Sequence, residues 1–427
     1  MKPQLTPGHH LRLLQGGAEL FPAMVQAMDR AVQLVHLETY IFDFAHDALQ
    51  VAQALERAAL RGVAVRLVVD GVGTPSVPAE WAQRLTAAGV QWRVYQPLGR
   101  LGLLIPSRWR RLHRKLCVVD GAVGFCGGIN IIDDREDGAL GRLDSPRLDF
   151  SLQVSGPLVA DMLDTMEQLW WRLMALRAAR QRAFRQAWQA LKAALPHAQA
   201  PLAHLHWPNG QEASAHVLSD DVPEPSAGPH SELRVSQASA ALLLRDNLRH
   251  RHDIERAYLK ALGEARYEVV IANAYFIPGR RLRRALVMAV RRGVRVRLLV
   301  QGKYERFLQY HAARPVHHAL LRAGVEIHEY APSALHAKVA VVDGRWATVG
   351  STNLDPLSLL LAREANVVTT DERFATRLHH RLDRLMRENG DALQLAALQA
   401  RPWHERLRDR VAFAVMRTVL FLTGHRY

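Results

Sequence analysis

The residues best suited to chemistry in this chain form a polar pattern that occurs twice. In each copy a histidine stands two residues before a lysine, and four residues separate that lysine from an aspartate. Six further residues lead to a Gly-x-x-Asn group. The first copy comprises His113, Lys115, Asp120, Gly127, Gly128 and Asn130, and the second comprises His336, Lys338, Asp343, Gly350, Ser351 and Asn353.

This pattern suits metal-free group transfer at a phosphodiester, so no metal or cofactor is expected. Residues two apart on a strand point to one face, which sets each histidine beside a lysine. One imidazole attacks phosphorus and the other protonates the departing oxygen. The lysines and asparagines bind the charged oxygens, and the Gly-rich group lets a phosphate approach the backbone. The predicted catalytic residues are His113, Lys115, His336 and Lys338, and the predicted substrate-binding residues are Gly128, Asn130, Ser351 and Asn353.

The two aspartates belong to the motif, and hence to the candidate catalytic set, but their positions favour a structural role. Asp120 and Asp343 follow buried strands and directly precede glycines, as residues at a tight turn do. The lysines give the opposite indication. The chain has only six lysines, and two of them occupy equivalent places in the motif. This placement indicates a function rather than a solvated surface.

The segments around the motif also occur in two copies. Residues 11–44 and 241–277 each predict a strand, a helix and a second strand. Apolar runs bounded by glycine, such as VRLVV and VRLLV, are typical of buried strands. Three further pairs match, namely 61–71 with 292–302, 88–97 with 323–332, and 113–130 with 336–353.

Strands that alternate with helices predict an α/β fold. We expect two halves with mixed β-sheets flanked by helices, packed as a pseudo-twofold with one shared active site. The predicted units are a first half (1–175), a helical connector with a Pro- and His-rich linker (176–232), a second half (233–395) and a basic amphipathic C-terminal helix (396–427).

Composition bears on partners and compartment. The chain has 427 residues and a formal net charge of +15, and a basic surface of this kind attracts phosphates. Cys117 and Cys126 fit two buried thiols in a reducing compartment, and no Cys/His cluster suggests zinc. The N-terminal residues lack the apolar core of a signal peptide, and no apolar stretch is long enough to span a bilayer. We therefore expect a soluble or peripheral protein that faces the cytoplasm.

The doubled motif resembles that of the phospholipase D superfamily, HxKx4Dx6GSxN, over residues 11–170 and 233–390. Gly128 departs from it, because the superfamily pattern has serine there. The resemblance implies that a downstream carboxylate orients each histidine. On this basis Asp149, which follows His113, and Glu364, which follows His336, are the candidate orienting residues.

Within the superfamily, the chain resembles bacterial cardiolipin synthases of the short type without N-terminal transmembrane helices. The segments that carry this resemblance are 38–42, 128–130, 242–251 and 272–279. It implies transfer of a phosphatidyl group from phosphatidylglycerol to a second phosphatidylglycerol, or to phosphatidylethanolamine, through a phosphohistidine. It also implies His113 as the nucleophile and His336 as the acid. A phospholipase D that uses water, a nuclease of the superfamily and a non-catalytic membrane scaffold are the alternatives, and no nucleic-acid partner is expected.

Two segments fit an anionic bilayer of phosphatidylglycerol and cardiolipin as partner. Residues 99–112 mix arginines with Leu103, Leu104, Ile105 and Trp109 directly before His113. Residues 406–423 predict a helix with arginines on one face and apolar side chains on another. A packed loop and a core-packed helix are the respective alternatives. If both segments bind lipid, the protein lies on the cytoplasmic face of the bacterial inner membrane.

Overall fold

The computed structural model describes residues 4–99, 102, 106–138, 140–180, 183–193, 233–246, 250–303, 307–355 and 362–422. Within the predicted connector and linker at 176–232, residues 181–182 and 194–232 lie outside the described residues. Leu103, Leu104 and Ile105 of the predicted membrane loop also lie outside them.

The first half contains ten strands and five helices among the described residues. The strands are β1 (Thr6–Gln15), β2 (Leu34–Thr39), β3 (Ala64–Asp70), β4 (Gln91–Tyr95), β5 (Arg111–Leu112), β6 (Lys115–Val119), β7 (Val123–Gly127), β8 (Glu136–Asp137), β9 (Gly141–Arg142) and β10 (Phe150–Ser155). The helices are α1 (Gly16–Arg30), α2 (Leu49–Leu60), α3 (Ala79–Ala88), α4 (Leu158–Arg180) and α5 (Phe184–Ala193).

The second half repeats this order of elements and adds helices at its end. Its strands are β11 (Arg234–Arg245), β12 (Glu268–Asn273), β13 (Arg295–Gln301), β14 (Glu326–Tyr330), β15 (Lys338–Val342), β16 (Trp346–Gly350), β17 (Ala362–Thr369) and β18 (Gly390–Ala392). Its helices are α6 (Asp253–Glu264), α7 (Arg280–Arg291), α8 (Phe307–Arg322), α9 (Glu372–Asn389), α10 (Leu395–Ala400) and α11 (Trp403–Leu422).

The two halves share a sixteen-stranded mixed sheet that is symmetric about its centre. From the centre outwards the first half runs β1-β10-β7-β6-β2-β3-β4, and the second runs β11-β17-β16-β15-β12-β13-β14. Strands β1 and β11 pair antiparallel and join the two sets. The predicted α/β fold with two related halves is confirmed, and the two expected sheets form one continuous sheet.

Helices cover both faces of this sheet. One apolar core includes α4 and α9 and takes residues from both halves. A second core lies under α1, α2 and α3, and a third under α6, α7, α8 and α11. Each fully buried Leu or Phe in these cores contributes roughly 1.5–3 kcal/mol. Because the first core spans both halves, burial of apolar surface holds the halves together. Cys117 and Cys126 are buried and free, as expected of small apolar side chains.

Helix α11 packs on the second half through one of its faces. Asp409, which is buried, accepts a hydrogen bond from His311 of α8 at 2.6 Å, and Ala412 and Met416 are buried beside it. The opposite side of the helix carries exposed Leu407, Val411 and Val415. The helix is therefore anchored to the core and still presents an apolar surface.

Candidate active site

The segment before each lysine is held by backbone groups of the other half. The backbone N–H of His113 donates to the carbonyl of Arg363 at 3.0 Å, where β5 lies parallel to β17. The backbone N–H of His336 donates to the carbonyl of Leu148 at 2.8 Å. The cross-half pairing brings both histidines to the seam between the halves.

The carboxylates that orient the histidines also cross this seam. His113 Nδ1 lies 3.0 Å from Glu364 Oε2, and His336 Nδ1 lies 2.6 Å from Asp149 Oδ2. The resemblance implies that each carboxylate orients the histidine of its own half, and this pairing is wrong. The reason is geometric, since β10 and β17 each run beside the histidine segment of the opposite half. With Nδ1 bound to a carboxylate, Nε2 is the ring nitrogen left for chemistry.

The two lysines lie closer to the core than a cleft-facing strand position suggests. Lys115 is 6% exposed and Lys338 is fully buried. Lys115 Nζ donates to the carbonyl of His113 at 2.7 Å, and Lys338 Nζ donates to that of His336. Lys115 also lies over the ring of Tyr40, 5.6 Å from its centroid. Both ammonium groups are thereby fixed beside the histidines.

Burial and neighbouring charges shift the protonation of these groups. Burial lowers the pKa of His113 and lowers that of His336 well below its usual value, with the lysines adding to both effects. Burial also lowers the pKa of Lys115 to about 7 and raises that of Asp149 to about 7. Charges from both halves act on each histidine, so the pKa values of the two motif histidines depend on the lysines of both halves.

The residue two positions before each motif asparagine differs between the halves, being Gly128 in the first and Ser351 in the second. A Cβ at Gly128 would lie 2.3 Å from Asp149 Oδ1, so glycine is required for that carboxylate to reach His336. At the matching position, the Ser351 hydroxyl donates to Glu364. The carbonyl oxygen of Asn130 accepts the backbone N–H of Ile41 at 3.2 Å, and Asn353 is buried after β16.

The motif aspartates lie at the other ends of their strands, away from the histidines. The Asp120 carboxylate accepts the backbone N–H groups of residues 32, 33 and 34, and that of Asp343 accepts those of 266, 267 and 268. Both residues have a positive φ, of 51° and 53°. Their place in the candidate catalytic set is therefore corrected, and they tie a turn to the start of β2 or β12.

Two further positioning residues were missed in the sequence. Asp70 at the end of β3 accepts the backbone N–H of Leu112 at 2.7 Å, and Gln301 at the end of β13 accepts that of Leu335 at 3.0 Å. Each thus holds the residue directly before a motif histidine. The available signal was a polar residue that ends the matched apolar runs VRLVVD and VRLLVQ.

Comparisons with known proteins agree with this architecture. The family described as "Cardiolipin synthase, PLD-like domain" matches residues 24–137 and 258–386. Cardiolipin synthase B of Escherichia coli (strain K12) is 35% identical over 425 residues, which is 99% of this chain and 92% of that protein. Cardiolipin synthase A of Pseudomonas fluorescens is 30% identical over 411 residues, which is 95% of this chain and 74% of that protein.

The fold has a counterpart among solved structures. The crystal structure of phosphatidylserine synthase from Haemophilus influenzae Rd KW20 superposes with a TM-score of 0.65, covering 96% of this chain and 94% of that one. At 13% sequence identity this likeness concerns the fold alone.

The family match over both halves and the 35% identical relative define a phosphatidyltransferase of the phospholipase D superfamily. Within that superfamily the chain belongs to the cardiolipin synthase family. The family, the enzyme class and the fold predicted from the sequence are confirmed. Among the described residues, no helix is long and apolar enough to cross a membrane.

Proposed function

We propose that this phosphatidyltransferase makes cardiolipin from two molecules of phosphatidylglycerol through a phosphohistidine, with phosphatidylethanolamine as a second possible substrate. The observation that carries the proposal is the pair of imidazoles at the seam. Each is bound to a carboxylate at Nδ1, by 3.0 Å for His113 and 2.6 Å for His336, and each lies beside a buried lysine. Two such imidazoles are what a double displacement at phosphorus requires.

The raised pKa of Asp149 favours the role of acid for His336. Asp149, with a pKa of about 7, keeps a proton near neutrality and is hydrogen-bonded to His336. A phosphate anion in the cleft attracts that proton onto the imidazole, because negative charge stabilises the imidazolium. His336 is therefore the acid. The lowered pKa leaves a free Nε2 lone pair on His113, and the resemblance to the superfamily assigns this residue the role of nucleophile.

In the first step, Nε2 of His113 attacks phosphorus and the bond from phosphorus to the headgroup oxygen breaks. His336 gives its proton to that oxygen, and glycerol leaves. In the second step, a headgroup hydroxyl of the second lipid attacks phosphorus and the phosphorus–nitrogen bond breaks. The hydroxyl proton passes to His336, which restores the resting enzyme. Atoms, charge and protons balance over the two steps.

The lysines and asparagines stabilise the charge that develops on the non-bridging oxygens. Buried donors act strongly here, because the surroundings screen them less than water does. Lys115 and Lys338 supply two fixed ammonium groups. Asn130 accepts from the backbone through its carbonyl oxygen, which leaves its NH2 group to donate to the substrate.

We also propose that α11 lies on an anionic bilayer at the cytoplasmic face of the inner membrane. Its exposed Leu407, Val411 and Val415 provide apolar surface, and exposed Arg406 and Arg410 provide charge that attracts anionic lipid. The apolar contribution is not screened by salt, whereas the contribution of the arginines is.

The decisive experiment incubates purified protein with vesicles of phosphatidylglycerol, with and without phosphatidylethanolamine, and identifies the products by mass. We expect cardiolipin and free glycerol, and an acid-labile phosphorus adduct on His113 after a rapid quench. A variant that lacks both motif histidines is the control and should give neither. Phosphatidic acid as the sole product would mean a phospholipase, and cleavage of DNA with no lipid product would mean a nuclease.

A further inference from the structure

The ends of β3 and β13 are equivalent positions that the two halves occupy differently. In the first half, the Arg111 guanidinium donates to Asp70 at 3.0 Å and to the carbonyl of Gln96 at 3.1 Å. This ion pair lies beyond the end of β3. In the second half, Ala334 matches Arg111 and Gln301 matches Asp70, so both charges are missing.

A cavity lies at this place in the second half. We call it the β13 cavity, and the lining residues used below are Ala274, Gln301, Tyr310, Arg314, His317 and Glu329. Its wall is continuous with the catalytic segment. Ala274 donates its N–H to the carbonyl of Ala337 at 3.1 Å, and Gln301 accepts the N–H of Leu335 at 3.0 Å. The cavity wall thus binds the residues on both sides of His336.

The chemistry of the lining suits a small polyol. His317 is 4% exposed and lacks a well-formed hydrogen bond from either ring nitrogen among the described residues. Burial and the nearby Arg314 lower its pKa to about 3, so the ring is neutral. Arg314 is neutralised by Glu329 at 2.7 Å and lies over the ring of Tyr310 at 4.2 Å. The lining therefore offers both donors and acceptors with its buried charge balanced.

A further lining residue adds a positive charge. Lys303 is half-buried and lines the same cavity. A phospholipid whose headgroup is glycerol carries one phosphate next to that polyol, so an ammonium group close to a polyol site suits such a molecule. Neutral donors and acceptors with one cation fit this ligand better than they fit a free dianion.

We infer that the β13 cavity binds the headgroup glycerol of the acceptor phospholipid and presents one of its hydroxyls to His336. The inference rests on the function proposed above and names the site that selects the acceptor. During transfer, the hydroxyl oxygen bonds to phosphorus, the bond from phosphorus to His113 Nε2 breaks, and the hydroxyl proton moves to His336. His317 and Tyr310 act as binding residues for the hydroxyls that do not react.

The test measures how the phosphohistidine divides between glycerol and water. The donor is a short-chain phosphatidyl ester of p-nitrophenol, whose release reports the first step without any glycerol headgroup. The ratio of phosphatidylglycerol to phosphatidic acid then reports the second step alone. This ratio does not depend on how much of the protein is folded.

We expect His317→Phe to lower the glycerol-to-water ratio by about tenfold, and Tyr310→Phe by about threefold, as for lost hydrogen bonds. Release of p-nitrophenol per folded enzyme should stay within about twofold of the parent rate, because the first step involves no glycerol and loses no hydrogen bond to it. The matched control is His36→Phe, which replaces a fully buried histidine of β2 in the first half. Its ratio should not change.

A further arm of the experiment replaces glycerol with ethanol as the acceptor. Recognition of a polyol predicts that His317→Phe lowers transfer to glycerol but leaves transfer to ethanol unchanged. An unchanged glycerol ratio in both cavity variants would overturn the inference, and so would an equal loss for ethanol. A parent enzyme that makes cardiolipin from phosphatidylglycerol but transfers nothing to free glycerol would also overturn the polyol site. If the parent enzyme makes no cardiolipin from phosphatidylglycerol, the proposed transferase function itself fails, which is a distinct result.

Discussion

The two halves orient their histidines with different acids. In one pair, Asp149 reaches His336 past a glycine, and a Cβ at Gly128 would lie 2.3 Å from its oxygen. In the other, Glu364 is one methylene longer, and Ser351 donates to it while it holds His113. Asp149, the shorter acid, requires a residue without a side chain at position 128. Glu364, the longer acid, accepts an additional hydrogen bond from Ser351. A duplicated motif has thus become a site whose halves are alike in position and unlike in the contacts that hold their carboxylates.

The largest expected effect is the loss of turnover when a motif histidine is replaced, and it distinguishes the nucleophile from the acid. His113→Ala should reduce turnover by about 10⁴-fold or more on any substrate, because it removes the nucleophile. His336→Ala should cost about 10²–10⁴-fold on phosphatidylglycerol but much less on the p-nitrophenyl ester, whose leaving group needs no acid. A burst of p-nitrophenol that survives in His336→Ala and vanishes in His113→Ala is the measurement. The reverse pattern would exchange the roles of the two halves.

The lysines test whether both halves stabilise the transition state. Lys115→Met and Lys338→Met should each lower kcat by on the order of a hundredfold through lost charge stabilisation. Thermal unfolding should show no loss of stability for Lys338→Met, since a fully buried charge is costly and methionine has a similar shape. Near-normal turnover in one variant would show that its half contributes no charge to the reaction.

The residues that differ between the halves give a direct comparison. Gly128→Ser should displace Asp149 from His336 and lower kcat on lipid by on the order of tenfold to a hundredfold. Ser351→Gly removes one hydrogen bond to Glu364 and should cost about three- to tenfold. Steady-state rates of the two variants, normalised to folded protein, are the test. Equal losses would mean that the two histidine–carboxylate pairs are equivalent.

The pH dependence follows from two groups with a pKa near 7. Above about pH 7, Asp149 gives up the proton that His336 needs, and Lys115 becomes neutral. Both changes lower kcat/KM on phosphatidylglycerol as pH rises, by up to about tenfold per pH unit for each group. The acid limb belongs to His113 and lies below the usual histidine value of 6.5. A profile that stays flat to pH 9 would contradict the pKa assigned to Lys115.

The smallest expected effect concerns α11, which belongs to the second half alone. Replacing exposed Val411 and Val415 with glutamate should weaken binding to phosphatidylglycerol vesicles by about three- to tenfold, through lost burial and charge repulsion. Activity on the soluble ester should be unchanged. Val32→Glu, at an exposed position of the first half, is the control and should bind normally. Sedimentation with vesicles at two salt concentrations measures the effect.

Much of the fold could be predicted because its signals are local. The helix expected within residues 11–44 is observed at Gly16–Arg30, and the one expected within 241–277 is observed at Asp253–Glu264. The turn aspartates Asp120 and Asp343 were expected to be structural from the glycines that follow them, and their carboxylates bind nearby backbone N–H groups. Apolar runs, turn glycines and the i, i+2 spacing of a strand act within a few residues, so the sequence alone determines them.

The tertiary structure decided which residues meet across the seam. His113 and Glu364 are 251 residues apart, and His336 and Asp149 are 187 apart, so no local pattern encodes these contacts. They depend on the pairing of β1 with β11, which places β10 and β17 at the centre of the sheet, each beside the histidine segment of the other half. The cavity beyond β13 likewise lies where the first half has the ion pair of Arg111 with Asp70 beyond β3. Packing between distant segments sets both features, because burial and charge pairing act through space and not along the chain.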